Sequence, residues 1–449
     1  MDEINLSPYG SASTTPSPVN RMMAAFADDF REGVDINLGM GYVSEQAIPH
    51  HWIRDALGEV IDRSDRHKAP FNYGGPAGSP NLVAAIRRFY VKRRIGGFTS
   101  QFLDTKRIVV GVSGATSLMQ AVAQVIRPGL VVTSDPLYYI YGDVLQRAGF
   151  SLLTVPEDAE GIDTARLEKK LADLGRAAQQ ISFVYVVTVS NPTCTITSTA
   201  RRRELVRIVS DLSRRLGRKI PLLLDAAYEL LIHDPAVAKP ESALLTDRDG
   251  IAYELGTLSK ILAPALRAGY VIGPDGPFMD ALVQNVSDTG FSAPLANQEI
   301  ASCLLNDHVD EQLERVNAGY RRKAIAMRVW IDKYLGRYLR DVCGGQAGFY
   351  FYLTFDGVDT REESAFFKVL TRTTGDPALD SADGSPRPRV LYLPGEYCVH
   401  RDGELVDAGG RQLRLSYGFE SLERIEYALR LMGEAAAHVM SVDPCPRRV

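Results

Sequence analysis

Short, nearly continuous apolar runs alternate along this chain with longer stretches whose apolar positions recur every three or four residues. The runs at 107–112, 130–134, 151–155, 181–187 and 221–224 predict strands, and the stretches at 115–126, 139–148, 164–174 and 200–216 predict helices. Further β-rich runs between 251 and 272 complete the series. This alternation predicts an α/β fold, with a mostly parallel sheet between two layers of helices.

The flanking regions have a different character. Segment 7–18 is rich in Ser, Thr and Pro and predicts an irregular arm, followed by a short helix at 21–30. Residues 52–61 and 80–94 have helical spacing, and Pro80 suits a first helical turn. Beyond Gly273, two long helices are expected at 293–304 and 308–335. Strands then follow at 348–355, 390–393 and 412–417, and a last helix at 421–439. Segment 373–388, rich in Gly, Asp, Ser and Pro, reads as a loop insertion. The expected organisation is an arm over 1–35, a segment 36–71 belonging to a smaller domain and the site, a large domain over 72–305, and a smaller α+β domain over 306–449.

Composition narrows the class without naming an activity. The chain has 449 residues, 45% apolar and 24% charged, as expected of a soluble globular protein with ample core. A net charge of −4 gives no reason to expect nucleic acid or an anionic membrane as partner. No apolar run is long enough to span a bilayer, and the acidic start Met1-Asp2-Glu3 does not read as a secretory signal. Five cysteines, at 194, 303, 343, 398 and 445, lack metal-site spacing and predict reduced thiols in a cytoplasmic protein. His50 and His51 are sequence neighbours that do not share a helix face, so no metal site is expected there.

Candidate chemistry centres on Thr257-Leu258-Ser259-Lys260, with Arg267 seven positions beyond the lysine. A lysine can form a Schiff base with an aldehyde cofactor, while Thr257, Ser259 and Arg267 suit a phosphate. Asp225 follows an apolar run, at the end of a predicted strand where open α/β sheets place ligand groups. Asn191, in Asn191-Pro192-Thr193, also ends a strand-like run. Ser113-Gly114-Ala115-Thr116 follows a strand and opens a helix, a place where backbone amides bind phosphate. Arg414 sits within the apolar run Leu413 to Tyr417, where an unpaired charge would be costly; Arg411 is the competing arginine.

The order and spacing of Asn191-Pro192-Thr193, Asp225-Ala226-Ala227-Tyr228 and Ser259-Lys260 resemble the class I/II aminotransferases, fold-type I enzymes of pyridoxal phosphate (PLP), over about residues 35–435. The similarity is greatest to the branch with aminoadipate and broad-range aminotransferases. The resemblance implies that Lys260 holds PLP, that Asp225 faces the pyridine nitrogen, and that Asn191 and Tyr228 face the phenolate oxygen. It implies that Tyr138 stacks on the ring, with Tyr139 and Tyr141 as alternatives, and that Arg414 grips the substrate carboxylate. Tyr73 would reach the phosphate of a neighbouring subunit, making the active unit a homodimer, and Gly39 and Tyr42 would lie over the mouth of the site. Cys194 stands where the family has glycine, and segment 39–51 is unusual.

The expected reaction moves an amino group between an amino acid and a 2-oxo acid. The unusual 39–51 and 373–388 segments motivate an alternative on the same cofactor: elimination, replacement or carbon–carbon bond formation on an unusual amino acid such as S-adenosylmethionine. A regulator with an aminotransferase-like ligand domain is the third reading. It is disfavoured because the roughly 35 residues before the enzyme-like part are neither basic nor suitably periodic.

Overall fold

The inner strands of the main sheet are buried on both faces, because helices cover both. In the computed structural model, which describes residues 4–442 except 68 and 383–384, that sheet has eight strands. They are β1 (Lys106–Val110), β2 (Leu130–Asp135), β3 (Ser151–Asp158), β4 (Gly161–Ile162), β5 (Ile181–Val187), β6 (Leu222–Asp225), β7 (Ala252–Thr257) and β8 (Gly269–Pro274). Their spatial order is β1-β8-β7-β6-β5-β2-β3-β4. β5 is central and buried throughout; Phe183, Tyr185 and Val187 face one helical layer, and Val184 and Val186 face the other.

Strand direction places the site. Strands β7, β6, β5, β2 and β3 pair in parallel. β8 is antiparallel to both β1 and β7, so β1 again points the same way as the parallel set. The C-terminal ends of β1, β2, β5, β6 and β7 and the start of β8 therefore share one edge. The segments leaving that edge carry Ser113, Tyr138, Asn191, Asp225, Lys260 and Arg267.

The C-terminal region forms a second, four-stranded antiparallel sheet: β9 (Leu339–Gly344), β10 (Tyr350–Phe355), β11 (Leu393–Pro394) and β12 (Gln412–Ser416), in the order β9-β10-β12-β11. A 26-residue helix, Val309–Tyr334, about 39 Å long at 1.5 Å per residue, runs from the large-sheet region to this one. The segment Ile36–Asn37 pairs in parallel with Val390–Leu391, and the Leu38 carbonyl accepts from the Ser416 amide at 2.7 Å. Segment 36–38 is thereby held against β12.

Several local expectations need correction. The strand expected at 390–393 is two short ones in different sheets, because Tyr392 between them turns its hydroxyl to the Thr360 carbonyl at 2.8 Å. The arm at 7–18 contains a helical turn, Pro8–Ala12, capped by Ser7. The helix expected at 21–30 is Pro18–Ala27, started by the Ser17 cap with Pro18 in its first turn. Helix Pro277–Gly290 and strand β9 were not expected at all. The described part of 373–388 includes a short helix, Pro377–Asp380, and a strand pair, Ser381–Ala382 with Ser385–Pro386. Among the described residues, no helix is long and apolar enough to cross a membrane.

Candidate active site

At the shared edge lies a narrow cavity of about 130 Å³. Ten residues singled out from the sequence line it: Ala115, Thr116, Tyr138, Asn191, Asp225, Tyr228, Thr257, Ser259, Lys260 and Arg267. Met119, Val187, Ala227 and Pro264 complete the lining.

At one end, the helix Gly114–Val125 begins at Ser113, whose side chain makes no capping hydrogen bond. The first-turn amides of Ala115 and Thr116 lie outside the helix's own ladder and border the cavity. Arg267, in left-handed backbone at φ +50°, donates from Nε to Ser113 Oγ at 3.1 Å and from Nη2 to the Ser113 carbonyl at 2.9 Å. Thr257 Oγ1 and Ser259 Oγ lie 2.9 Å apart beside it. Gly269 makes this proximity feasible, since a Cβ there would lie 2.1 Å from the Ala115 nitrogen. An uncapped helix start with a guanidinium and two hydroxyls is an arrangement suited to an anion.

At the other end sits Asp225, buried at 4% exposure. Its Oδ2 accepts from Tyr185 Oη at 2.8 Å and its Oδ1 from the Ala227 amide at 3.0 Å. Burial raises its pKa against these two bonds and the Lys260 charge. A protonated ring nitrogen would supply the positive charge that this buried carboxylate lacks.

Lys260 is half-buried between these ends, with Nζ 5.7 Å from the ring centroids of Tyr228 and Phe349. Burial, then the charges of Arg267 and Arg414, brings its pKa down to about 8, with Asp225 opposing. The amine is still mostly charged near pH 7, but its neutral form, the nucleophile or base, is far more accessible than for an ordinary lysine.

Asn191 is fixed by its neighbours: Ser190 and Thr193 donate to the two oxygens of Glu157, each at 2.8 Å. Its Oδ1 accepts from Arg414 Nη1 at 2.6 Å, and Arg414 Nη2 reaches the Gly39 carbonyl at 2.6 Å. Arg414 also stacks over Tyr350, 4.2 Å from the centroid, and its buried Nε has no hydrogen-bond partner. Tyr350 Oη lies 2.8 Å from Tyr228 Oη. Arg414, not Arg411, is thus the arginine joined to the cavity.

Among the three tyrosine candidates, Tyr138 lines the cavity, whereas Tyr141 is a core residue bonded to the Met119 carbonyl. Tyr139 faces Arg414, whose charge opposes the rise that burial gives its phenol. Ser113 and Gly114 lie just behind the lining. Tyr73 is 76% exposed beside Phe291, away from the cavity. Tyr42 is also exposed, its ring near Phe419. Cys194, where the resemblance predicts glycine, has φ +55°, a left-handed conformation that glycine adopts without strain. Burial pushes its thiol up to about 12, so it is an unreactive packed sulfur.

Tyr185 was missed in the sequence. Its signal was period two: Val187 is the register partner of Asp225, and Tyr185 shares Val187's face of the same strand.

The sequence profile of aminotransferase class I and II matches residues 35–375. The chain belongs to that family. Its members are PLP-dependent transferases, and amino-group transfer between an amino acid and a 2-oxo acid is the activity that membership carries. The chain is 26% identical over 412 residues to an uncharacterised helix-turn-helix-type transcriptional regulator of Bacillus subtilis, covering 90% of this chain and 74% of that one. It is 23% identical over 412 residues to aromatic-amino-acid aminotransferase 1 of Thermococcus litoralis, covering 90% and 88%. Its fold matches α-aminoadipate aminotransferase of Thermus thermophilus, solved with N-(5′-phosphopyridoxyl)-L-leucine, with a TM-score of 0.75 at 21% identity, covering 97% and 98%.

Proposed function

We propose that this cavity performs the amino transfer, with Lys260 as the residue that would hold PLP and then act as acid and base. The observation carrying this reading is that one cavity gathers an uncapped helix start with Arg267, a buried carboxylate, and a lysine of lowered pKa between them. Ser113, Gly114, Ala115, Thr116, Thr257, Ser259 and Arg267 would hold the phosphate, Asp225 the ring nitrogen, Asn191 and Tyr228 the ring hydroxyl, and Tyr138 one ring face. When bound, the cofactor supplies an electron sink that lets a bond at the substrate Cα ionise.

Arg414 binds and orients the substrate carboxylate; its planar fork, backed by Asn191 and Gly39, favours two parallel hydrogen bonds. Lys260 Nζ takes the proton from Cα, and the lowered pKa matches that task. Gly39 and Tyr42 sit on the segment that would lie across the mouth of the site. The pairing of Ile36–Asn37 with Val390–Leu391 supports grouping 36–71 with 306–449 as the smaller domain beside 72–305. The exposed aromatics Phe71, Tyr73 and Phe291 support a homodimer in which Tyr73 serves the neighbouring site.

A second reading, a ligand-sensing regulator, draws on the likeness to the Bacillus relative. Single-turnover mixing of PLP-loaded protein with glutamate, aminoadipate, alanine, aromatic amino acids or S-adenosylmethionine separates the readings. Equimolar 2-oxo acid from one of these, reversed by adding a second 2-oxo acid, is the expected result. Release of a side-chain fragment would overturn transfer in favour of elimination or replacement. Binding without turnover would favour the sensor.

A further inference from the structure

Away from the cavity, helix His50–Asp62, the turn that follows it and helix Leu295–Asp307 bring Glu59, His67 and Cys303 together. One potential ligand atom from each lies within 4.8 Å of the others. His67 is 2% exposed and Cys303 6%.

The hydrogen bonds orient the histidine. Glu299, fully buried, accepts from His67 Nδ1 at 2.6 Å, from Asn81 Nδ2 at 2.8 Å and from Ser79 Oγ. With Nδ1 engaged by that carboxylate, Nε2 is the ring nitrogen turned toward the cluster. There, among the described residues, it has no hydrogen-bond partner; the nearest charged oxygen is Glu59 Oε1 at 3.7 Å. A buried ring nitrogen without a partner, beside a thiol and a carboxylate, is an arrangement that protein interiors avoid unless something sits between.

We propose that Glu59, His67 and Cys303 form a three-ligand site for zinc or a similar divalent cation, with a water as the fourth ligand. Imidazole and thiolate select zinc over calcium or magnesium, and carboxylate is its third common ligand. A carboxylate behind the ligating histidine, here Glu299, is the usual support of such a site. Thiolate and carboxylate together balance the cation's two charges, and the Cys303 proton leaves to solvent on binding. Arg66 Nη1, now 2.5 Å from Glu59 Oε1, competes for that carboxylate, but its side chain is 55% exposed and free to swing outward. The cation would tie the two helices together next to the loop that carries Tyr73, where the Gly74 amide already bonds to Ser292 Oγ at 3.0 Å.

The test uses the full-length, PLP-loaded protein, dialysed against a chelator and then titrated with zinc in competition with a chromophoric indicator. Wild type is expected to bind about one zinc per chain, with X-ray absorption showing one sulfur at about 2.3 Å and nitrogen or oxygen at about 2.0–2.2 Å. Cys303→Ser and His67→Gln are expected to weaken binding by about 10- to 100-fold or more. Equal zinc binding by wild type and a folded Cys303→Ser variant, a bound zinc without sulfur, or no stoichiometric binding by wild type would each overturn the proposal. The readout does not depend on turnover, so it stands apart from the amino-transfer reading.

Discussion

Arg414 Nη1 donates to Asn191 Oδ1 across 2.6 Å, joining residues 223 positions apart and tying the small sheet to the edge of the large one. The guanidinium is held flat by this bond, by the Gly39 carbonyl and by Tyr350 beneath it. An ammonium keeps the charge but not the fork. Arg414→Lys is expected to weaken amino-acid binding by about a hundredfold, roughly 2.7 kcal/mol, while leaving PLP affinity unchanged. Titration of the cofactor absorbance with amino acid checks both halves. Unchanged substrate affinity would remove Arg414 from its proposed role.

Tyr185 donates to Asp225 without lining the cavity, so its expected role is to position that carboxylate. Tyr185→Phe removes one hydrogen bond to a buried carboxylate, worth about 1.5–2 kcal/mol. Turnover is expected to fall by about tenfold to thirtyfold with KM little changed. Asp225→Asn should cost far more, because it removes the charge itself. Equal losses from the two variants would contradict this division of roles.

Lys260 should destabilise the cofactor-free protein, with a defined pH dependence. Its folded pKa is lowered from 10.5 to about 8. Below pH 8 the lysine is charged in both the folded and unfolded states, and the full cost of burying that charge is present. Between about 8 and 10.5 the unfolded state binds the extra proton, so stability rises with pH across that window. Lys260→Met is therefore expected to stabilise the cofactor-free protein by about 2–3 kcal/mol at pH 7, the gap closing by about pH 10.5. Denaturant unfolding at several pH values measures it; a gap that widens with pH would refute the assigned environment.

Gly269→Ala should damage the phosphate end selectively. The added methyl would meet the Ala115 nitrogen at 2.1 Å and the Gly114 carbonyl carbon at 2.3 Å, both backbone. The helix start must retreat, so PLP affinity is expected to fall by more than tenfold, with a stability loss of about 1–3 kcal/mol. Equilibrium dialysis of PLP and a thermal scan report the two effects. Wild-type PLP affinity in this variant would show that the helix start does not bind the phosphate.

Much of the cavity was legible because its residues leave strand ends at a common edge, where a local motif marks each: Ser113-Gly114, Asn191-Pro192, Asp225, and Ser259-Lys260. Tyr185 and Met119 were not, since they contribute from inside a strand and a helix whose patterns also serve the core. Strand Leu339–Gly344 escaped for the opposite reason: it is a partly exposed edge strand without apolar alternation. Helix Pro277–Gly290 was legible in principle from Met279, Leu282 and Val286, spaced for one helical face. The Glu59–His67–Cys303 cluster has no sequence signature at all, because only tertiary packing brings 303 to 59 and 67.

The pairing of Ile36–Asn37 with Val390–Leu391 sets an order of assembly during synthesis. Every residue that one chain gives to its own phosphate end lies between 113 and 269, so that part of the cavity is complete in the chain before the segment beyond 269 is made. Gly39 must wait for Arg414, 375 positions later in the chain. The residues proposed to hold the cofactor phosphate are thus all synthesised well before the arginine proposed to grip the substrate.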